Sequence, residues 1–142
     1  MEKNESKRPP CDTDDHGKAP FIVNINRLAK SNPYFRTALW TGEFLQVTLM
    51  SIPVGGDIGV EMHPHTDQFL RIEDGCGRVM MGQNKDALDY HRTVNLHCAV
   101  LVPARTWHNI INIGNRPLKI YSIYAPPHHA FGTVHRTKED AE

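Results

Sequence analysis

The sequence has no net charge and no long apolar run, and each absence argues against a class of protein. Sixteen Lys and Arg residues balance sixteen Asp and Glu residues in a chain of 142. This balance gives no overall field that would attract nucleic acid or an anionic membrane. No run approaches the ~20 apolar residues of a membrane-spanning helix, and the opening M-E-K-N-E-S-K-R-P-P does not have the pattern of a secretory signal. We therefore expect a cytoplasmic protein whose partner is a small molecule, with no nucleic acid or membrane partner.

Cysteine is also scarce. The three cysteines, Cys11, Cys76 and Cys98, are widely spaced and form no C-x-x-C pair. An odd number at these spacings argues against a disulfide scaffold or a zinc ribbon, and the three are expected to be reduced thiols. A chain of this length is close to the commonest size of a single domain.

Composition divides the chain into four segments. Residues 1–19 are polar and rich in proline and predict a flexible tail. Residues 20–43 predict an N-terminal arm with a short helix, which begins near Asn24 or Asn26 and ends at Ser31-Asn32-Pro33. From residue 44 apolar residues alternate with polar ones, which predicts strands up to residue 126. Residues 127–142 form a C-terminal strap.

The strand-forming region predicts an all-β sandwich or barrel, because short strands recur there between glycine-rich turns. Strands are predicted at 44–52, 58–63, 68–73, 76–81, 98–102, 107–112 and 117–124, with an exposed hairpin loop over 83–95 between the two motifs described below.

A cluster of polar side chains is predicted on one strand face. Residues two apart in a strand share a face, so Glu61, His63 and His65 would lie together. The opposite face would carry Ile58, Val60 and Met62. Imidazole and carboxylate are well suited to bind a divalent first-row metal. After a turn, Gln68 begins a return strand that can point toward the same place.

Two groups of residues resemble the paired signature of the cupin superfamily. The first motif, G-x5-H-x-H-x4-E-x6-G, is similar in spacing to Gly55, Glu61, His63, Gln68 and Gly75. The second motif, G-x5-P-x-G-x2-H-x3-N, matches at Pro103, His108 and Asn112. In this chain Glu61 stands for the family's first histidine, Gln68 for its glutamate, and His97 and Arg105 for two glycines.

The resemblance implies a fold and a metal site. The expected fold is a double-stranded β-helix, the jelly-roll barrel of cupins, over residues 44–126 with a short N-terminal helical segment. The implied ligands of one divalent transition metal, iron, manganese, nickel or zinc, are Glu61, His63, Gln68 and His108, with His65 as an alternative ligand. Dimers are common among cupins, and a homodimer is expected.

The roles within this set stay open. Glu61 is either a ligand or a catalytic acid or base beside a metal that His63, His65 and His108 hold. A neutral amide binds cations less tightly than a carboxylate, so Gln68 is either a ligand or a residue that orients a ligand or the substrate.

The surrounding pocket is predicted to include Arg71, Asn112 and Tyr124. Arg71 and Arg105 are candidate anchors for a carboxylate or phosphate, since guanidinium presents a bidentate fork.

The strap contains His128, His129, Phe131 and His135. It either covers the pocket or forms a solvated surface segment, and we favour the solvated segment. The face with Ile58, Val60 and Met62 needs a cover, either from the arm with Phe35, Leu39 and Trp40 or from a second subunit.

Two functions are consistent with this sequence. The first is a metal-dependent small-molecule enzyme with dioxygenase-like or isomerase-like chemistry. The second is a cupin that binds or senses a small ligand without turnover, in which Glu61 and Gln68 mark a weak or vacant metal site. Fold alone does not choose between them.

Overall fold

The computed structural model describes residues 13–142, which form two antiparallel β-sheets and one short α-helix. The six strands of the larger sheet are β1 (Arg36–Thr41), β2 (Gln46–Ile52), β3 (Asp67–Asp74), β6 (Ala99–Val102), β8 (Leu118–Ala125) and β9 (Val134–His135). Their order is β6-β3-β8-β2-β1-β9. The smaller sheet contains β4 (Gly77–Gly82), β5 (Tyr90–Val94) and β7 (Trp107–Asn112), in the order β5-β4-β7. This architecture confirms the predicted all-β double-stranded β-helix with a short N-terminal helix.

The core lies between the two sheets. Strand side chains alternate between faces, and the inward residues of β3, β7 and β8 are almost fully buried, among them Leu70, Ile72, Ile110, Leu118 and Ile120. Burial of each such side chain stabilises the fold by about 1.5–3 kcal/mol.

The helix α1 (Ile25–Ser31) packs on the outer face of the larger sheet. The side chain of Asn24 caps it by accepting a hydrogen bond of 3.0 Å from the Arg27 N–H. Ala29 of this helix packs with Leu39 and Leu49 of β1 and β2. Of the two predicted starting points, the cap is therefore Asn24.

The predicted strand 58–63 is wrong. Residues 53–66 form a loop that touches β7 through two isolated bridges, Asp57 with Ile111 and Glu61 with His108. Gly55 and Gly59 have φ angles of +77° and +86°, a left-handed conformation that breaks a strand. Loop geometry, and not strand alternation, therefore brings Glu61 and His63 together.

Three strands lie where the sequence predicted none, namely β1, β5 and β9, of which the two-residue β9 lies within the predicted strap 127–142. Strand β5 lies inside the predicted loop 83–95; its first four residues are exposed, so it lacks the alternation that marks a half-buried strand. Strand β1 lies within the predicted arm 20–43 and is buried on both faces except at Trp40, so it also lacks alternation.

The described part of the predicted tail, residues 13–19, is fixed to the larger sheet, and residues 1–12 lie outside the described range. The carboxylate of Asp15 accepts hydrogen bonds from the N–H and the hydroxyl of Thr41 and from the Gly132 N–H. The Trp40 indole donates to the Ala19 carbonyl at 2.8 Å. Within residues 13–142 no helix has the length and apolar character needed to cross a lipid bilayer.

Candidate metal centre

Glu61, His63 and His108 converge at one point inside the barrel. The Glu61 Oε1 atom lies 3.6 Å from His63 Nε2 and 3.7 Å from His108 Nε2. One potential ligand atom from each residue lies within 4.8 Å of the other two. Two ligands on one zinc-like ion, each about 2.1 Å from the metal, are separated by roughly 3–4 Å. The spacing of the three groups is therefore close to that of a metal site.

The two histidines of the site are buried, and the site is open to solvent at Glu61. The side chains of His63 and His108 are 4% and 1% exposed, whereas that of Glu61 is 30% exposed. The backbone N–H of Arg105 donates to the His63 carbonyl at 2.9 Å and fixes the loop at this point. A small molecule can therefore approach from the Glu61 side.

His108 is oriented so that one ring nitrogen faces the cluster. Its Nδ1 lies 3.0 Å from the Thr106 carbonyl, which requires that Nδ1 carry the proton and donate. Burial lowers the pKa of His108, against the opposing effects of the Thr106 hydrogen bond and the Glu61 charge. The ring is thus neutral near pH 7, and its Nε2 lone pair is available to a metal, as is common for histidine ligands.

Glu61 is held in its ionised form. Burial alone raises the pKa of the Glu61 carboxyl, but its contact with His63 and the electrostatic effects of His108 and Arg36 together lower this pKa below its usual value. The cluster therefore offers one negative charge and two imidazole side chains to a cation.

Gln68 lies inside the barrel on β3. Its Nε2 donates to the Ser122 hydroxyl at 3.5 Å, and its buried Oε1 has no hydrogen-bond partner among residues 13–142. The strand register places Gln68 opposite Tyr124, whose ring centroid lies 5.7 Å from that of His63. Burial raises the pKa of the Tyr124 hydroxyl, so this residue is a neutral phenol beside the cluster.

Several predicted site residues lie elsewhere. His65 is exposed and is not part of the cluster. Arg71 points outward from β3, where it contacts Glu73 and His97.

Asn112 is buried, but its amide donates to the carbonyls of Ile52 and Arg116. Its geometry is that of a residue that fixes a turn. Arg105 is exposed, and its guanidinium donates to a loop carbonyl.

The strap and β1 bring residues to the site that sequence reasoning missed or ranked low. The ring centroids of His128 and His63 are 4.1 Å apart, and those of His129 and Tyr124 are 5.1 Å apart. The strap therefore lies against the site, as in the covering arrangement that we did not favour. Arg36 is buried nearby. The histidine-rich composition signalled the strap, whereas no motif marked Arg36.

Comparisons with known proteins cover this part of the chain. A family model described as a cupin domain matches residues 48–124. The uncharacterized protein YrkC of Bacillus subtilis is 64% identical over 127 residues, which are 89% of this chain and 68% of that protein. The uncharacterized protein L612 of Acanthamoeba polyphaga mimivirus is 39% identical over 115 residues, 80% of this chain and 70% of that protein. The protein BH2720 from Bacillus halodurans, whose crystal structure is known, has 61% sequence identity to this chain. The two structures match with a TM-score of 0.89, over 90% of this chain and 97% of that one.

Proposed function

The chain belongs to the cupin family, and we propose that it is a metal-dependent enzyme that acts on a small oxygenated molecule. In this proposal Glu61, His63 and His108 hold one divalent transition metal, and Gln68 contributes its amide oxygen or orients the substrate. Two histidines and one carboxylate are a set used for non-haem iron, and they also suit manganese, nickel and zinc.

Unpaired buried atoms are the observation that carries this proposal. Among residues 13–142 the Nε2 atoms of His63 and His108 and the Oε1 atom of Gln68 are buried without a hydrogen-bond partner. Buried polar atoms without partners are rare because each costs about 1–3 kcal/mol. A cation that accepts their lone pairs removes this cost.

The chain's own residues would divide the remaining work. A bound metal would supply Lewis acidity or activation of oxygen. The partly exposed Glu61 carboxylate borders the entry side, where its negative charge faces an incoming molecule. The phenol of Tyr124 and the rings of His128 and His129 restrict access of water, since they cover the side of His63 that the strap approaches.

The first test of this proposal measures the metal content of the purified protein. Protein purified without a histidine tag is analysed for elements, as wild type and as His63→Ala and His108→Ala, with the exposed His65→Ala as the matched control. We expect near one equivalent of metal in the wild type and in the control, and its loss in the other two variants. Metal retained by His63→Ala and His108→Ala, or absent from the wild type after reconstitution, would contradict the proposal.

A non-catalytic binding protein is the second candidate, favoured by the replacement of the family's glutamate with Gln68. Metal-loaded wild type and His108→Ala are incubated with a panel of small hydroxy, keto and sugar acids, and substrate loss and oxygen uptake are followed. Turnover in the wild type alone supports the enzyme. Saturable binding without turnover supports the binding protein.

A further inference from the structure

A buried arginine lies beside the candidate metal centre. Arg36 in β1 is 3% exposed, and its Nε atom has no hydrogen-bond partner. Among residues 13–142 no carboxylate forms an ion pair with it. A buried charge is costly unless it is paired. Arg36 is therefore ready to receive an anion.

The surrounding strands hold the Arg36 guanidinium in place. Pairing of β1 with β9 sets Arg36 opposite His135, and the two side chains meet at 3.2 Å between Nη1 and Nδ1. The guanidinium carbon lies 5.2 Å from the centre of the Phe35 ring. This fixation reduces the entropy that ligand binding must overcome.

Arg36 and Glu61 line the same cavity. This cavity has a volume of about 490 Å³, and its walls also include His128, His129, His135 and Lys138. Its size is within the usual range for small-molecule sites, about 300–1,000 Å³. Because Glu61 also belongs to the candidate metal centre, a ligand in the cavity can contact Arg36 at one end and the metal ligands at the other.

We propose that Arg36 is a specificity-determining residue that binds the carboxylate of a small organic acid, whose oxygen-bearing far end reaches the Glu61, His63 and His108 cluster. This inference rests on the proposed function for its second half only. It assigns the substrate class as monocarboxylates that carry a further oxygen donor.

The charges of the cavity favour a carboxylate over a phosphate. Lys138, the other cation on the wall, is neutralised by Asp57 at 2.5 Å. Glu61 and Glu142 also line the cavity and add negative charge. Because these carboxylates repel a second negative charge, the cavity accepts a monoanion more readily than the more highly charged phosphate, and the Arg36 guanidinium matches a carboxylate with two parallel hydrogen bonds.

The test uses acetate as a probe for the carboxylate and inorganic phosphate as its competitor. Acetate is titrated into metal-free wild type while the Arg36 Nε–H signal is followed by nuclear magnetic resonance. We expect a saturable shift of this signal, and about tenfold to hundredfold weaker acetate binding in Arg36→Gln. Arg36→Lys, which keeps the charge but lacks the fork, should be intermediate. The exposed Arg78→Gln should bind acetate like the wild type.

The outcomes separate this inference from the proposed function. If the protein binds no metal but binds acetate in a way that depends on Arg36, the anion site is supported and the proposed metal centre is contradicted. Metal binding with no acetate shift at Arg36, or with unchanged acetate binding in Arg36→Gln, overturns the inference. Tighter binding of phosphate than acetate at Arg36 overturns the assignment to carboxylates. If Arg36→Gln does not fold, the Nε–H titration of the wild type decides alone.

Discussion

Glu61 and His108 form an isolated antiparallel bridge in which each backbone N–H donates to the other residue's carbonyl, at 3.0 and 2.9 Å. Residues directly opposite in such a bridge project their side chains to the same side. The bridge therefore holds a loop carboxylate against a strand imidazole without any regular strand around Glu61. This explains how a glycine-rich loop places a carboxylate in a defined position.

Removal of the Glu61 charge tests this arrangement. Glu61→Gln keeps the size of the side chain and the bridge, which is made by the backbone, but offers a weaker neutral ligand. We expect metal affinity, measured by competition with a chelator, to fall by more than about tenfold, whereas Glu43→Gln at an exposed position leaves it unchanged. Unchanged affinity with lost turnover would instead make Glu61 an acid or base beside the metal.

The two cupin glycines that this chain lacks coincide with its unusual backbone. His97 and Arg105 have φ angles of 76° and 66°, and they are the two non-glycine residues with positive φ within residues 13–142. A left-handed conformation costs a residue with a Cβ atom roughly 1–2 kcal/mol. The backbone of the family motif is thus kept although its glycines are not.

Because of this strain, we expect glycine to be more stabilising than alanine at position 105, the reverse of the usual order within a strand. Arg105→Gly should be more stable than Arg105→Ala by about 1 kcal/mol, measured by urea unfolding, because both variants lose the same side chain. At Arg78, an exposed position in strand β4, Gly should instead be less stable than Ala by about 0.5–1 kcal/mol. The same order at both positions would show that position 105 is unstrained.

The residues of the candidate metal centre that lie in the two motifs were predictable, and the neighbouring residues contributed by other segments were not. Spacing alone selected Glu61, His63 and His108, although the reason given for the first two, a shared strand face, was wrong. Arg36 lies far along the chain in β1, and only the pairing of strands brings it to the site. The small-molecule ligand, the homodimer and the cytoplasmic location stay predictions.

Gln46 fixes the strap over the site. Its side-chain Oε1 accepts hydrogen bonds from the N–H groups of His128 and His129, and its Nε2 donates to the His129 carbonyl and the Thr41 hydroxyl, between 2.9 and 3.2 Å. Gln46→Ala removes the partners of three part-buried backbone groups of the strap, and we expect a loss of about 2–4 kcal/mol of unfolding free energy. Hydrogen exchange should quicken at the amides of His128 and His129. Gln83→Ala, at an exposed turn, is the control, and equal exchange rates in both variants would show that the strap is held by other contacts.

His129 makes the fold sensitive to acid. Burial, followed by the positive charge of Arg36, lowers the pKa of His129 to about 3, against about 6.5 in an unfolded chain. As pH falls below about 6.5, the unfolded state binds a proton that the folded state does not. Stability linked to His129 is therefore fully present above this pH and is lost progressively as pH falls toward the folded pKa, at up to about 1.4 kcal/mol per unit.

The matching experiment compares the wild type, His129→Gln and the exposed His91→Gln by urea unfolding at several values between about pH 7 and pH 4. Glutamine does not titrate, so His129→Gln should lose a few kcal/mol less over this range than the wild type, while His91→Gln should follow the wild type. Parallel curves for all three proteins would mean that the pKa of His129 is the same in the folded and unfolded states, so that its ring becomes charged below about pH 6.5. In that range of pH the ring would add a second positive charge beside Arg36, and the preference of the cavity for a monoanion over phosphate would weaken.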